Sequence, residues 1–347
     1  MRCHCILIVT LRVWGADMNN DPAMFGKVAV VMGGWSAERE ISLRSGHEVH
    51  KALCNAGIDA HAVDADRSIA VQLQREKFDR AFLILHGRGG EDGHVQGALE
   101  LAGIPYTGSD VLGSALAMNK IRSKQICRDA GIRTADWFQV RSVEQASAAA
   151  DELGFPVIVK PVSEGSSIGV TKAMQNGVHD AFELARQYGD VMMERFIDGM
   201  EVTAAVLGGR ALPLVSMKTP NLFYDYDAKY FSEDTQYECP VDLPQANQQL
   251  IREAAVSVFN AIGGRDWGRV DFMLDASGDA YFMELNTAPG MTDHSLVPIA
   301  ARAVDISFEQ LCVEILEMTL LRSQPTTASS AVNLKAANLK IDEGVAG

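Results

Sequence analysis

Residues 267–295, WGRVDFMLDASGDAYFMELNTAPGMTDHS, hold two short apolar-rich runs, 269–274 and 280–286, separated by DASGD. Such runs around a Ser-Gly dipeptide read as a β-hairpin. With Ser277 and Gly278 as a two-residue loop, the register pairs Asp271 with Glu284 and Arg269 with Asn286. Side chains alternate across a strand, so these four polar groups share one face, and Val270, Phe272, Leu274, Tyr281, Met283 and Leu285 take the other. Two carboxylates directly opposite each other destabilise a sheet unless positive charge lies between them. A hard divalent cation, held by the carboxylates and the Asn oxygen and completed by phosphate oxygens, meets that need and suggests Mg2+. The alternative is a solvated strand face with an Arg–carboxylate cluster, which is ordinary in antiparallel sheets.

The 347 residues, 47% hydrophobic and 22% charged, suffice for two or three cores. A net charge of -14 argues against a nucleic-acid-binding surface, so any phosphate site must be a local positive pocket. Cys3, Cys5, Cys54, Cys127, Cys239 and Cys312 are scattered without CxxC or metal-ligand spacing, as expected of reduced thiols in a cytosolic protein. The apolar run 5–11 is too short to span a bilayer and is interrupted by Arg12. Residues 1–23 therefore read as a disordered extension, with Met18 or Met24 as the initiator, and the Ala-, Ser- and Thr-rich 323–347 as a tail.

Between them strands and helices alternate. KVAVVM (27–32) reads as a buried strand, followed by Gly33-Gly34 and a helix that Gly57 ends. Residues 58–63 and 81–85 are further strands, the βαβ pattern of a parallel sheet. Ligands gather where the carboxyl ends of such strands open into loops. Two loops there are unusually polar: GGWSAERE, with Glu38, and HGRGGEDG, starting at His86. Each has a plain alternative. Gly33-Gly34 serves equally as a tight turn, Glu38 as a first-turn acid favoured by the helix dipole, and His86 as a hydrogen-bonded loop residue.

From Asn119 the texture changes to a basic helix, NKIRSKQICRDAGI, and then a strand, PVIVK, ending at Lys160. A lysine ending an apolar strand is costly if buried without an anion. SEGSSIGV supplies backbone and hydroxyl donors suited to phosphate oxygens. VMMERFI gives a strand carrying Glu194 and Arg195, and a long polar loop, 221–240, holds Lys229 and Tyr230. Loops of that length are functional lids or disordered segments.

In order along the chain, GGWSAEREISL, LHGRGGEDG, GIPYTGS, MNK, PVIVKP, EGSSIGV, YDYDAKY, WGRVDFML and ELNTAPGMTDHSL resemble the D-alanine–D-alanine ligases of the ATP-grasp superfamily. The resemblance implies a mixed α/β and α+β fold. An open parallel-sheet domain (24–118) would precede a central ATP-grasp domain (119–207) and a C-terminal domain (208–322) that clasps ATP against it. It implies ATP with two Mg2+ ions, for which Mn2+ can substitute, D-alanine as substrate, a homodimer, no membrane or nucleic-acid partner, and a cytoplasmic role in peptidoglycan precursor synthesis. Lys120 and Lys160 match phosphate-binding lysines, with Lys160 also near the adenine, and Ser167 is a further nucleotide-binding residue. Glu194 matches the partner of the adenine amino group, the backbones of Arg195 and Ile197 the ring-edge contacts, and Glu201 the ribose-binding acid. Asp271, Glu284 and Asn286 match the metal ligands, so the hairpin argument and the resemblance meet on the same residues. Lys229 would assist phosphoryl transfer, and Arg269 with the N–H of Gly290 would hold the oxyanion. Glu38 would take the first D-alanine's ammonium, with His86 near its carboxylate, and Ser295 with the Leu296 backbone would take the second carboxylate. Ser166 and Tyr230 would close the lid through Glu38. A Tyr at 230, where D-lactate-using relatives carry Phe, favours the dipeptide. Trp35 departs from the family, which has a small residue there.

Overall fold

The computed structural model describes residues 21–218 and 236–322. Lys229 and Tyr230 lie outside the described residues, as do nearly all of the expected extension and the tail beyond 322.

The first sheet is parallel, in the order β2-β1-β3. Its central strand β1 (Val28–Gly33) is buried at every position, which explains its unbroken apolar run. Helix α1 (Arg39–Asn55) follows, then β2 (Ala60–Ala65), α2 (Ile69–Arg75), β3 (Arg80–Leu83), α3 (His94–Ala102) and α4 (Val111–Met118). Gly57, at φ 79°, takes the left-handed turn that follows α1, as its position suggested. The loops leaving β1 and β3 carry Glu38 and His86 to the same end of the sheet.

Helix α5 (Lys120–Asp129) leads to a second, antiparallel sheet in the order β4-β7-β5-β6. It comprises β4 (Trp137–Val140), β5 (Val157–Pro161), β6 (Thr171–Ala173) and β7 (Val191–Arg195), with α6 (Val143–Leu153) and α7 (Val178–Ala185) packed on it.

The third sheet runs β11-β10-β8-β12-β13, with β9 (Arg210–Ala211) beside β8. Strand β8 (Gly199–Leu207) pairs with β12 (Trp267–Asp275) along its whole length, from Trp267 opposite Leu207 to Asp275 opposite Gly199. β10 (Val215–Lys218) and β11 (Gln236–Glu238) extend one side, and β13 (Ala280–Asn286) the other. Helix α8 (Gln245–Ile262) buries Ile251, Ala255, Val258 and Phe259 against this sheet. Helices α9 (Leu296–Arg302) and α10 (Phe308–Arg322) join its other side to the first sheet's core.

The hairpin forms, and Arg269 opposes Asn286 and Asp271 opposes Glu284 as expected. Its loop differs. Gly278 N donates to Asp275 O at 2.9 Å and Asp275 N to Asp279 O at 3.1 Å, so Ala276, Ser277 and Gly278 make a three-residue loop, with Gly278 at φ 81°. Phe272 then opposes Phe282 rather than Met283, and an irregularity between Asp271 and Phe272 restores the expected pairing. The extra residue corrects the expected apolar face. Phe282 is buried against Phe272, while Tyr281 and Met283 line a cavity on the polar side.

Candidate active site

A cavity of about 610 Å3 opens between the two antiparallel sheets. Lys160 reaches it from β5, Glu194 and Arg195 from β7, Glu201 from β8 and Glu284 from β13, with Ile197 and Ser167 on connecting loops. Asn119 caps α5 by accepting from Arg122 N at 3.0 Å, which fixes where the helix begins. Lys120 and Lys124, four residues apart, therefore point from one helix face into the same cavity.

Burial is offset there by opposite charge. Glu194 is ion-paired to Lys160 through Oε1 and lies 2.8 Å from Lys124 Nζ through Oε2. Burial alone would raise its carboxyl, but Lys124 and Lys160 outweigh it and hold the pKa down at about 2. Lys120 Nζ is 2.9 Å from Glu284 Oε2 and donates to Glu164 O at 2.7 Å. Burial opposes that ammonium, yet Glu284 raises its pKa above the usual value. The Arg195 side chain turns outward to Asp136 at 3.1 Å, so its backbone is what faces a ligand.

On the hairpin, Asp271 is 3% exposed and fully engaged. Arg269 reaches both its oxygens at 2.8 Å, Thr203 Oγ1 donates at 2.6 Å and Asn286 Nδ2 at 2.9 Å. The positive charge that two opposed carboxylates require is thus present in the protein, as Arg269 on Asp271 and Lys120 on Glu284. Among the described residues no group of three His, Cys, Asp or Glu side chains is gathered to chelate an ion alone. Two carboxylates and the Asn286 amide oxygen form a small all-oxygen donor set. That set fits a hard cation drawing the rest of its shell from phosphate and water.

The third cluster lies where the first sheet's loops meet both others. Glu38 precedes α1 without capping it, and its carboxyl accepts from Ser166 Oγ. Ser166 and Ser167 sit at φ 49° and 58°, a left-handed pair that non-glycine residues rarely adopt. That turn sends Ser166 to Glu38 while Gly165 and Ser167 line the cavity, joining the two regions. Gly87, at φ 69°, approaches so closely that a Cβ there would lie 2.4 Å from Glu38 Oε2.

His86 is buried, with Nδ1 2.8 Å from Ala288 O, which places the ring proton on Nδ1. Burial lowers its pKa to about 4, so the ring is neutral at pH 7. Glu91 accepts from Gly87 N at 2.7 Å and from Ala288 N at 3.2 Å. Burial, and then the Glu38 charge, push it up to about 8, against the pull of Arg269. Ser45 Oγ accepts from Met291 N at 3.2 Å. Together these groups tie the 287–291 loop to the first sheet. On that loop a Cβ at Gly290 would be 3.0 Å from Ser295 Oγ, and Leu296 opens α9 beside them.

The expected residues within the described chain therefore fall into three adjoining groups. Sequence reasoning passed over Lys124, Glu91 and Ser45. Four-residue spacing from Lys120 was the available signal for Lys124, and Glu91 lay inside a loop already marked as polar. The described cysteines, Cys54, Cys127, Cys239 and Cys312, are free. No helix of the described residues is long and apolar enough to cross a membrane.

Comparison with known proteins yields a single family. The model for the D-ala D-ala ligase N-terminus matches residues 58–109, and that for its C-terminus matches 126–317. The chain is 51% identical over 297 residues to a D-alanine–D-alanine ligase of Pseudomonas fluorescens, covering 85% of this chain and 92% of that one. It is likewise 51% identical over 295 residues to the enzyme of that name from Azoarcus, covering 84% and 97%. Among solved structures, the Bacillus anthracis D-alanine–D-alanine ligase complexed with ATP is 31% identical with a TM-score of 0.74, over 86% of this chain and 98% of that one.

Proposed function

This chain belongs to the D-alanine–D-alanine ligase family, and from that premise we propose that it joins two D-alanines at the expense of ATP, supplying a peptidoglycan precursor. The observation that carries the reading is the turn 164–167. It brings the lysine-lined cavity, the hairpin carboxylates and Glu38 to one place.

A carboxylate is a poor electrophile because oxide would have to leave. The first D-alanine is therefore activated by the γ-phosphoryl of ATP, and the acylphosphate is attacked by the second D-alanine's amine with loss of phosphate. Lys120, Lys160 and Ser167 hold phosphate oxygens, with Lys229 assisting transfer. Glu194 accepts from the adenine amino group, the Arg195 and Ile197 backbones follow the ring edge, and Glu201 takes the ribose. Asp271, Glu284 and Asn286 would hold Mg2+, two ions with Mn2+ able to substitute, which neutralises charge developing on the phosphoryl group. Lys120 and Arg269, which lie on Glu284 and Asp271, would face the anionic substrate groups beside them.

Glu38 orients the first ammonium, and neutral His86 contributes a hydrogen bond rather than a charge near the carboxylate. Arg269 and the Gly290 N–H stabilise the oxyanion of the tetrahedral intermediate. Ser295 and the Leu296 backbone hold the second carboxylate. Ser166 and Tyr230 close on Glu38 to exclude water, which would otherwise hydrolyse the acylphosphate.

We also infer domains at 24–118, 119–207 and 208–322, a homodimer and a cytoplasmic location. Each of the three sheets with its own helices supports the division, although β8 of the third sheet precedes the 207/208 boundary.

The test is phosphate release from Mg-ATP with D-alanine, L-alanine, D-serine or D-lactate, with products resolved by mass. Release that requires D-alanine and yields its dipeptide is expected. Turnover only with another pair would keep the ATP site and overturn the substrate.

A further inference from the structure

Lys124 is 1% exposed, one helical turn beyond Lys120, and has no part in the mechanism above. Its ammonium is fixed by Thr134 Oγ1 at 2.6 Å and lies 2.8 Å from Glu194 Oε2, while Lys160 holds Oε1. Two buried ammoniums thus share one buried carboxylate, where one would balance its charge. Lys120 is already matched to Glu284, and Arg195 is turned out to Asp136.

The duplication has a chemical reason once a nucleotide is bound. On the reading above, Lys160 joins Lys120 in holding phosphate oxygens and turns from Glu194 to do so. With Lys160 as its sole cation, Glu194 would then be a buried, uncompensated carboxylate, and such a group takes up a proton. A protonated carboxyl both donates and accepts hydrogen bonds, so it tolerates either an amino or an oxo group. An ionised one only accepts, so it welcomes a purine 6-amino group and repels a 6-oxo group. Glu194 Oε2 lies 2.8 Å from Lys124 Nζ and, with a second lone pair, keeps capacity for one more donor.

We propose that Lys124 is a positioning residue that keeps Glu194 an obligate acceptor when Lys160 engages phosphate, and so sets the preference of this cavity for 6-amino over 6-oxo purine nucleotides. The proposal rests on the ATP-binding reading of the cavity.

The test is calorimetric binding of ATP and of inosine triphosphate to the full chain with Mg2+ and without D-alanine. The unmodified protein should favour ATP by on the order of 10–100-fold, the scale of one hydrogen bond to a charged group. Lys124→Met, and Lys124→Gln, which keeps a donor toward Thr134, should bring that ratio near unity, mainly by weakening ATP, and Lys124→Arg should restore it. Thr134→Val, which removes the anchor of Lys124 together with the hydrogen bond from Thr134 Oγ1 to Phe282 O, should lower the melting temperature and leave the ratio unchanged. Folded neutral variants that retain the unmodified ratio would overturn the role of Lys124 while leaving the ATP site standing. An unmodified protein that binds neither nucleotide would overturn the reading of the cavity itself. Ligation does not enter the readout, so a failed substrate assignment leaves this result unaffected.

Discussion

The nucleotide cavity and the Glu38 cluster are both built from buried ionisable groups, yet they resolve the cost of burial in opposite ways. In the cavity Glu194 faces two ammonium groups and Glu284 one, and Glu194 stays ionised with a pKa of about 2. Around Glu38 a second acid, Glu91, is pushed up to about 8 by burial and the Glu38 charge, while His86 falls to about 4. Glu194 keeps its charge through neutral pH, and Glu91 changes protonation just above it. Binding a polyanion calls for fixed charge, whereas handling an amino acid, whose amine must lose a proton before it attacks, tolerates groups that titrate.

The largest effect expected from breaking this contrast is at the hairpin. Glu284→Gln removes a charge that matches Lys120 and, on the proposed reading, would hold metal, and should lower kcat by roughly 10²–10³-fold, on the scale of losing one electrostatic element of a transition state. Single-turnover phosphate release at saturating Mg-ATP checks it, and a change confined to KM would contradict it. Next is Glu38→Gln. It should weaken the first D-alanine by roughly 10–100-fold, as loss of a charged hydrogen bond does, and spare ATP affinity. Initial rates against D-alanine, with ATP binding measured separately, read the two apart.

The protonation contrast can be sharpened by pH. The Glu91 carboxyl is raised on folding, so its contribution to stability is full below its ordinary value of 4.5 and lost as pH rises to about 8. His86 is lowered, so its contribution is present above its ordinary 6.5 and lost as pH falls to about 4. From 6.5 to 8 only Glu91 of this pair acts. The ligand-free melting temperature should therefore fall by a few degrees over that window, at about 1–2 °C per kcal/mol for a chain of 347 residues. Glu91→Gln should flatten that slope, and an unchanged slope in the variant would remove Glu91 as its source. The smallest effect is Arg88→Ala. Its ion pair with Glu164 at 2.7 Å is more than half exposed on the arginine side, which limits it to about 0.2–1 kcal/mol. A shift in KM above roughly fivefold would mean that Arg88 does more than bridge two loops.

What could be read in the sequence followed the same division. Period-two alternation and the opposed carboxylates gave the hairpin pairing at Asp271 and Glu284, because register at a strand's functional end depends on local pattern. The pattern could not show that a three-residue loop and one extra residue near Met283 compensate each other, so Tyr281 and Met283 were assigned to the wrong face. Lys160 and Glu194 were legible as charges on apolar strands. Lys124 was not, because on a basic helix it looks like one more solvated lysine until β7 brings Glu194 against it. Glu91 depends on Ala288 N, almost two hundred residues away, and on the Glu38 carboxyl of another loop, and no local pattern encodes that. Lys229 and Tyr230 lie outside the described residues, so the expected roles of Lys229 in phosphoryl transfer and of Tyr230 in the lid rest on the resemblance alone.

The central claim is that one end of this site holds fixed charge and the other titrates. It is tested most directly by measuring ATP affinity and the KM for D-alanine on the same protein from about pH 7 to 8.5, above the last phosphate ionisation. The account predicts ATP affinity constant within about twofold, and a KM for D-alanine that changes through a single ionisation near 8 and loses that change in Glu91→Gln. An ATP affinity that titrates over this range while the D-alanine KM stays flat would contradict it.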